Sequence, residues 1–363
     1  LDGNPRKIYL MKFAILNDTH SGARNNSDIF IQYQEDFYSK VFFPYLEEHG
    51  IKHIVHLGDY YEHRKFVNFK ALQANRKHFL EVLKERGITM DIIPGNHDVV
   101  YKNTNELCSL KELMGHYMNN VNIVMEPRVM DYDGLKFALI PWINAENYAE
   151  SMKFVKNCKA DMVGGHFEFE GFEMHKGAIN THGMSTKEFE RFELVMSGHF
   201  HTKSHKGNVH YLGSQMEFNW GDDGDKKYFH VIDTADRSLT PVLNPLTIFH
   251  KVLYNDEKID YNSYSVEEMA NKFVKVVVLK KTDLFTFDRF IDRIQQVKTH
   301  ELKIAETFEE FLGDAVDDAK VSVEDTTELL DTYIEAVETD LDKDRLKNLM
   351  RGLYVEAQNM EIV

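Results

Sequence analysis

The chain has 363 residues, 43% of them hydrophobic, and a formal net charge of −16 from 43 basic and 59 acidic side chains. At roughly 100–200 residues per domain, this length predicts two or three units, and the apolar fraction excludes wholesale disorder. No apolar run approaches the roughly 20 residues that span a bilayer, and Cys108 and Cys158 are too few for a disulfide framework or a thiolate metal site.

No secretory leader is visible, so the cytoplasm is the expected compartment. Residues 1–10 precede the strand-like run Met11-Lys-Phe-Ala-Ile-Leu and are expected to be an extension or tag remnant. From 11 to about 245, short apolar runs alternate with amphipathic stretches, the pattern of an α/β fold. Strands are predicted over 12–16, 53–57, 89–93, 137–140, 161–163, 194–196, 209–212 and 229–232. Helices are predicted over 29–48 and 69–86, the second closed by Gly87. Their aromatic surplus (Phe30, Tyr33, Phe37, Phe42) suits core packing, with a dimer interface as the alternative.

Residues 246–300 read as a small α+β unit, with a strand over 273–279 flanked by helical 266–272 and 283–297. An acidic linker is expected over 301–327 and a helical segment over 328–363. In that segment Leu330, Tyr333, Ile334, Val337 and Leu341 share one helix face, and Leu346, Leu349, Met350 and Leu353 repeat the spacing. The charge is uneven. Residues 301–363 hold 18 acidic and 6 basic residues, whereas all 18 histidines precede 301. An even −16 would argue against a nucleic-acid partner; this distribution does not.

The histidines fall into a series. Asp18-Thr-His20 follows the first strand, Gly58-Asp59 the second and Gly95-Asn96-His97-Asp98 the third. Gly165-His166 and Gly198-His199-Phe-His201 follow two later strands. Each sits past the carboxyl end of a predicted strand, where open α/β sheets place their ligand crevice. A lone Asp-x-His or Gly-Asp is ordinarily a turn or cap, but five such pieces in order leave chance a small role. Carboxylate, imidazole and one amide oxygen suit a divalent cation such as Mn²⁺, Fe²⁺ or Zn²⁺. The seven candidate ligands (Asp18, His20, Asp59, Asn96, His166, His199, His201) are too many for one ion and divide over two bridged by a carboxylate. Two dications outweigh Asp18, Asp59 and a bridging hydroxide, and a neutral Asn96 keeps the remaining positive charge for a phosphodiester.

This series resembles the calcineurin-like metallophosphoesterase superfamily over about residues 11–233, and within it the SbcD-type nucleases that work with a Rad50-like, SMC-like ATPase. Tyr211-Leu-Gly-Ser214 and Asp225-Lys-Lys-Tyr-Phe229 resemble the stretch that closes that nuclease domain. The resemblance implies a β-sandwich flanked by helices over 11–245, a capping, DNA-binding domain over 246–300 and C-terminal helices that dock on the ATPase. It implies one metal on Asp18, His20, Asp59 and His201 and a second on Asp59, Asn96, His166 and His199. It assigns catalysis to His97, which orients the phosphate or protonates the leaving sugar oxygen, with Asp98 holding that imidazole. It also implies a homodimer and Mn²⁺-dependent cleavage of DNA, with Mg²⁺, Fe²⁺ and Zn²⁺ as other candidate ions.

The chain departs from its relatives at Ser21-Gly22, where Leu-Gly is common, and at Glu62, where some place a second functional histidine. His63 next to it is not assigned a catalytic role. Arg64, Lys65, Lys226-Lys227 and Lys280-Lys281 are candidate phosphate contacts, with solvated surface charge the equal alternative. His53 and His56 read as core residues, His175, His182, His205 and His210 as surface ones, and Trp142 and Trp220 as packing, with lining the cleft the alternative for both. Gly58-Asp-Tyr-Tyr-Glu-His63 disfavours Ser/Thr and purple acid phosphatases. Two readings compete with the nuclease: an enzyme for another phosphodiester, and a mainly scaffolding subunit with weak hydrolysis. The acidic helical tail favours the nuclease, since a small-molecule phosphodiesterase has no use for it.

Overall fold

The computed structural model describes residues 11–175, 178–306, 343 and 345–347. Residues 1–10, the stretch 307–327 and nearly all of the expected docking helices lie outside the described residues; 343 and 345–347 are helical. The chain divides into two units: one takes the chain up to 218 together with 224–248, the other takes 219–223 and the chain from 249 onward.

In the first unit the strands are β1 Lys12–Leu16, β2 His53–His56, β3 Thr89–Ile92, β4 Val121–Ile123, β5 Arg128–Tyr132, β6 Leu135–Ile140 and β7 Met162–Gly165. A small hairpin, β8 Glu173–His175 and β9 Ala178–Ile179, precedes β10 Leu194–Ser197, β11 Ser204–Lys206, β12 Val209–Tyr211, β13 Tyr228–Asp233 and β14 Leu239–Leu243. They form two six-stranded sheets, ordered β14-β13-β1-β2-β3-β4 and β11-β12-β10-β7-β6-β5. Strands β1, β2 and β3 run parallel in one sheet, and β6, β7, β10 and β12 run parallel in the other.

The period of two decides which face each residue covers. Phe13 and Ile15 of β1 pack between the sheets with Phe137 and Leu139 of β6 and Met196 of β10. Ala138, Ile140 and Val195 face the opposite side, against Val155 of helix Tyr148–Asn157 and the rings of Phe167 and Phe189. Both faces of β6 are therefore covered, which explains why it reads as a continuous apolar run. Each fully buried side chain of this size contributes about 1.5–3 kcal/mol.

Each of the two long helices expected as continuous is split by one π-helical turn. The first runs Asp28–Phe37, π-turn Tyr38–Phe42, then Phe43–Glu48; the second runs Phe69–Asn75, π-turn Arg76–Leu80, then Glu81–Glu85. Asn68 caps the second by accepting from Lys70 N at 2.8 Å, and Gly87 follows its end with φ +61°. The π-turns carry the aromatic surplus inward: Tyr38 and Phe42 lie 4.7 and 6.4 Å from Phe79. Phe229 of β13 meets Phe37, Phe42 and Tyr45 at 6.2, 5.1 and 5.3 Å. These rings are core.

The second unit is a parallel three-stranded sheet, β15 Phe249–Asn255, β16 Phe273–Lys280 and β17 Glu301–Ala305, in that order. Helix Leu284–Gln296, capped by Asp283 accepting from Phe285 N at 3.0 Å, packs Phe287, Phe290, Ile291 and Ile294 onto Tyr254, Val274 and Val276. Three expectations are corrected here. The linker does not begin at 301, because Leu302 and Ile304 pair with Val274 and Val276 and continue the sheet. The helix expected over 266–272 is only the short 3-10 turn Glu267–Met269. The unit also draws in Asn219–Asp223, where Trp220 packs 4.8 Å from Phe249 and Lys275 Nζ stands 4.3 Å over the indole. Among the described residues, no helix is long and apolar enough to cross a membrane.

Candidate metal centre

The carboxyl ends of β1, β2, β3, β7 and β10 converge, and with them all seven candidate ligands and His97. Asp18, His20 and His201 present donor atoms within 4.8 Å of one another, and so do Asp59, His166 and His199. Asn96 joins the second group: its Oδ1 lies 2.9 Å from His166 Nε2 and 3.0 Å from His199 Nδ1. Asp59 Oδ2 lies 3.1 Å from His166 Nε2 and 3.9 Å from His20 Nε2, so one carboxylate oxygen reaches towards both groups.

The loops are locked by backbone bonds and by unusual backbone angles. Asp18 N donates to Gly58 O at 2.9 Å, His20 N to Asp59 O at 3.1 Å and Ser21 N to Tyr60 O at 2.8 Å. Asp18, His20, Asp59 and His199 have φ of +48°, +44°, +54° and +84°. Left-handed backbone costs a non-glycine residue about 1–2 kcal/mol and gathers at functional sites. Gly58 is required by close approach: a Cβ there would stand 2.6 Å from Gly95 N. Tyr211-Leu-Gly-Ser214 supports the floor, since Gly213 O accepts from Asn17 Nδ2 at 2.8 Å and Ser214 N donates to His201 O at 3.1 Å.

Burial penalises every charge in this cluster, and the charges answer one another. For His20, burial lowers the pKa, but Glu62, Asp59 and Asp18 outweigh it and raise the imidazole to about 9. For His166, burial is likewise overcome by Asp59 and Asp18, again to about 9. Burial would raise Asp59, yet His166, His97 and His20 hold its carboxyl well below the usual range. Asp18 goes the other way, raised by burial and by Asp59 against the pull of His166. His199 is lowered to about 3 by burial and by His166. Without metal the cluster thus favours protons on His20 and His166, which a cation would have to displace.

His97 is presented by two backbone bonds. Its N donates to Asp59 Oδ1 at 2.8 Å, and its Nδ1 lies 2.6 Å from Glu62 O, which makes Nδ1 the donor and leaves Nε2 free. Asp98 does not hold this imidazole, which corrects the expectation. Its carboxylate is fully buried and accepts from Tyr60 N, Tyr61 N and Gly95 N at 3.0–3.1 Å. Asp98 therefore braces the β2 and β3 loops against each other.

Four residues around the site take positions the sequence left open or did not signal. Glu62 Oε2 lies 2.7 Å from His20 Nδ1; its position three residues past Asp59 was the only hint. Trp142, expected to pack, lies 5.9 and 5.4 Å from the rings of His166 and His199, and Phe218 lies 5.3 and 5.4 Å from those of His20 and His201. Lys227 is buried rather than a surface lysine, donating to His201 O and to Asp225 Oδ2, each at 3.0 Å. His53 and His56 are core residues as expected, each with one ring nitrogen on a threonine hydroxyl, Thr89 Oγ1 at 2.8 Å and Thr19 Oγ1 at 3.1 Å. Lys280 and Lys281 pair with Glu257 and Glu306 at 3.6 and 2.7 Å.

The donor set fits divalent cations. His20 Nε2 and His201 Nε2 face each other 3.1 Å apart beside a buried carboxylate, and all donors are imidazole, carboxylate or amide oxygen. Two sequence comparisons place the chain among phosphoesterases. The family profile described as calcineurin-like phosphoesterase matches residues 11–203. "Exonuclease subunit 1" of Enterobacteria phage T4 is 30% identical over 350 residues, covering 96% of this chain and 99% of its own. A solved structure described as a novel archaeal phosphodiesterase matches at 15% identity and a TM-score of 0.34, covering 64% of this chain and 100% of its own.

Proposed function

The chain belongs to the calcineurin-like phosphoesterase family and is a metal-dependent phosphoesterase related to a phage exonuclease subunit; from this we propose that it is the DNA nuclease subunit of an SbcCD/Rad50-type complex that processes double-strand breaks. The observation that carries the reading is the single Asp59 oxygen poised between two donor groups. One divalent ion is assigned to Asp18, His20, His201 and Asp59, the other to Asp59, Asn96, His166 and His199, with Mn²⁺ as the expected metal. When bound, such a pair supplies Lewis-acid polarisation of a phosphoryl group and lowers the pKa of water.

The chain's own residues do the rest. Asp18 and Asp59 leave two dications only partly neutralised, so the site attracts a phosphodiester anion, and a neutral Asn96 preserves that excess. His97, with Nδ1 fixed on Glu62 O, turns Nε2 to the substrate, where its protonated form orients the phosphate and protonates the leaving sugar oxygen. Trp142 and Phe218 give the site apolar walls that limit water.

The T4 relative is named as a subunit, which supports a partner for this chain too; the acidic segment 328–363 is assigned to docking the Rad50-like ATPase. A homodimer is assigned to the start of the second long helix, where Phe69 is 86% exposed and Phe66 of the preceding loop is 60% exposed. The setting assigned to this activity is the cytoplasm. The test is a Mn²⁺-dependent digestion panel of single-stranded, blunt and hairpin DNA, with and without the ATPase and ATP. Cleavage of DNA in wild type and its loss in His97→Ala is expected; no cleavage of any DNA, with hydrolysis of a small phosphodiester instead, overturns the substrate assignment.

A further inference from the structure

Glu62 touches His20 with its side chain and His97 with its backbone. Its carboxylate Oε2 lies 2.7 Å from His20 Nδ1, its backbone carbonyl takes His97 Nδ1 at 2.6 Å, and its N donates to Ser21 O at 3.2 Å. Ser21 also forms a bridge with Tyr61, so the loops after β1 and β2 continue the parallel pairing and carry Glu62 up to His20. His20, Glu62 and His97 form a third group of donor atoms within 4.8 Å of one another. The other donor group has a different support. There His166 Nδ1 rests on the neutral backbone carbonyl of Leu57 at 2.8 Å.

A carboxylate 2.7 Å from an imidazole Nδ1 favours the proton on that nitrogen and strengthens Nε2 as a donor, more than a neutral carbonyl does. Resting on the two-ion reading above, we propose that Glu62 is a positioning residue that makes the His20 group the tighter of the two cation sites, without itself holding an ion. The division of labour within Glu62 is clean. Its side chain serves the metal ligand, and its backbone, which any substitution keeps, serves His97.

The experiment is a calorimetric Mn²⁺ titration of the metal-free full chain, for wild type, Glu62→Ala and Glu62→Gln, with thermal melts of each. Wild type takes up two ions; in Glu62→Ala one of the two weakens by about 10–100-fold and the other is unchanged. Glu62→Gln, nearly isosteric and still an acceptor but uncharged, falls between them and covers the case in which the alanine variant fails to fold. DNA cleavage by Glu62→Ala reaches half of its own maximum at a higher Mn²⁺ concentration than wild type once the weakened site becomes the looser of the two. Unchanged titrations in both variants overturn the role of Glu62. A third ion bound by wild type and lost in Glu62→Ala makes Glu62 a ligand and also overturns it. A wild type that binds no Mn²⁺ overturns the two-ion reading, and this inference with it.

Discussion

The two units bury polar groups in opposite ways. In the first, Asp18, His20, Asp59, Asn96, Asp98 and His166 are buried together at the carboxyl ends of parallel strands, four of the site's residues on left-handed backbone. In the second, the buried polar side chains among the described residues are Asp222 and Lys275, and its core is otherwise rings and branched aliphatics around Phe290 and Val276. Burying several charges in one place costs stability that an apolar packing would not. The concentration of such groups therefore marks the first unit as the seat of chemistry, while the second holds a mostly apolar core.

That contrast predicts mutations whose effects separate cleanly. The largest effect belongs to Asp59→Asn, which removes the carboxylate between the two donor groups: DNA cleavage falls to background while circular dichroism stays native. Retained cleavage breaks the assignment of Asp59. Next, His97→Ala lowers the cleavage rate by about 10²–10⁴-fold, with Mn²⁺ binding by calorimetry unaltered; a loss of metal binding instead makes His97 a ligand. In the second unit, Phe290→Ala costs about 3–5 kcal/mol in urea unfolding and leaves Mn²⁺ affinity where it was. A coupled loss of affinity blurs the division between units.

The smallest effect is one of pH. His20 and His166 stand at about 9 in the metal-free fold, so both are protonated at pH 7. A cation must displace those protons, so Mn²⁺ affinity rises with pH up to about 9, and calorimetry in buffers of differing ionisation enthalpy records proton release at pH 7. For the metal-free fold the sign is reversed. Both pKa values lie above the unfolded value near 6.5, so the stability these protons contribute is complete below about 6.5 and is lost as pH climbs through 9. Thermal melts with and without Mn²⁺ across that window diverge; parallel curves remove the two imidazoles from the metal site.

Strand positions were legible because short apolar runs end at or within three residues of a glycine, as β2, β3, β7 and β10 do. The short strand β4 and the edge strand β5 carry too little pattern to be read, and β17 was disguised by its charges: Glu301-Leu-Lys-Ile-Ala alternates correctly but sits at the head of an acidic stretch. Asp98 misled for a local reason. Adjacency to His97 in the chain suggested a partnership, yet the two sit in a turn closed by Asp98 N on Gly95 O, where Asp98 meets three backbone N–H groups while His97 turns to Glu62.

The sequence by itself determined the inventory of the site: which carboxylates, imidazoles and amide lie after which strands, and that thiolate chemistry is excluded. Residue type and strand-end placement are local properties, and local properties survive in a one-dimensional record. Only the tertiary structure decided which of these groups meet. The choice of Glu62 as the carboxylate on His20, the turn of Trp142 towards His166 and His199, and the capture of Asn219–Asp223 by the second unit all depend on loops from distant strands closing over one another. Those closures are set by backbone bonds and glycine contacts between segments, such as Gly58 against Gly95, and such pairings leave no periodic trace along the chain.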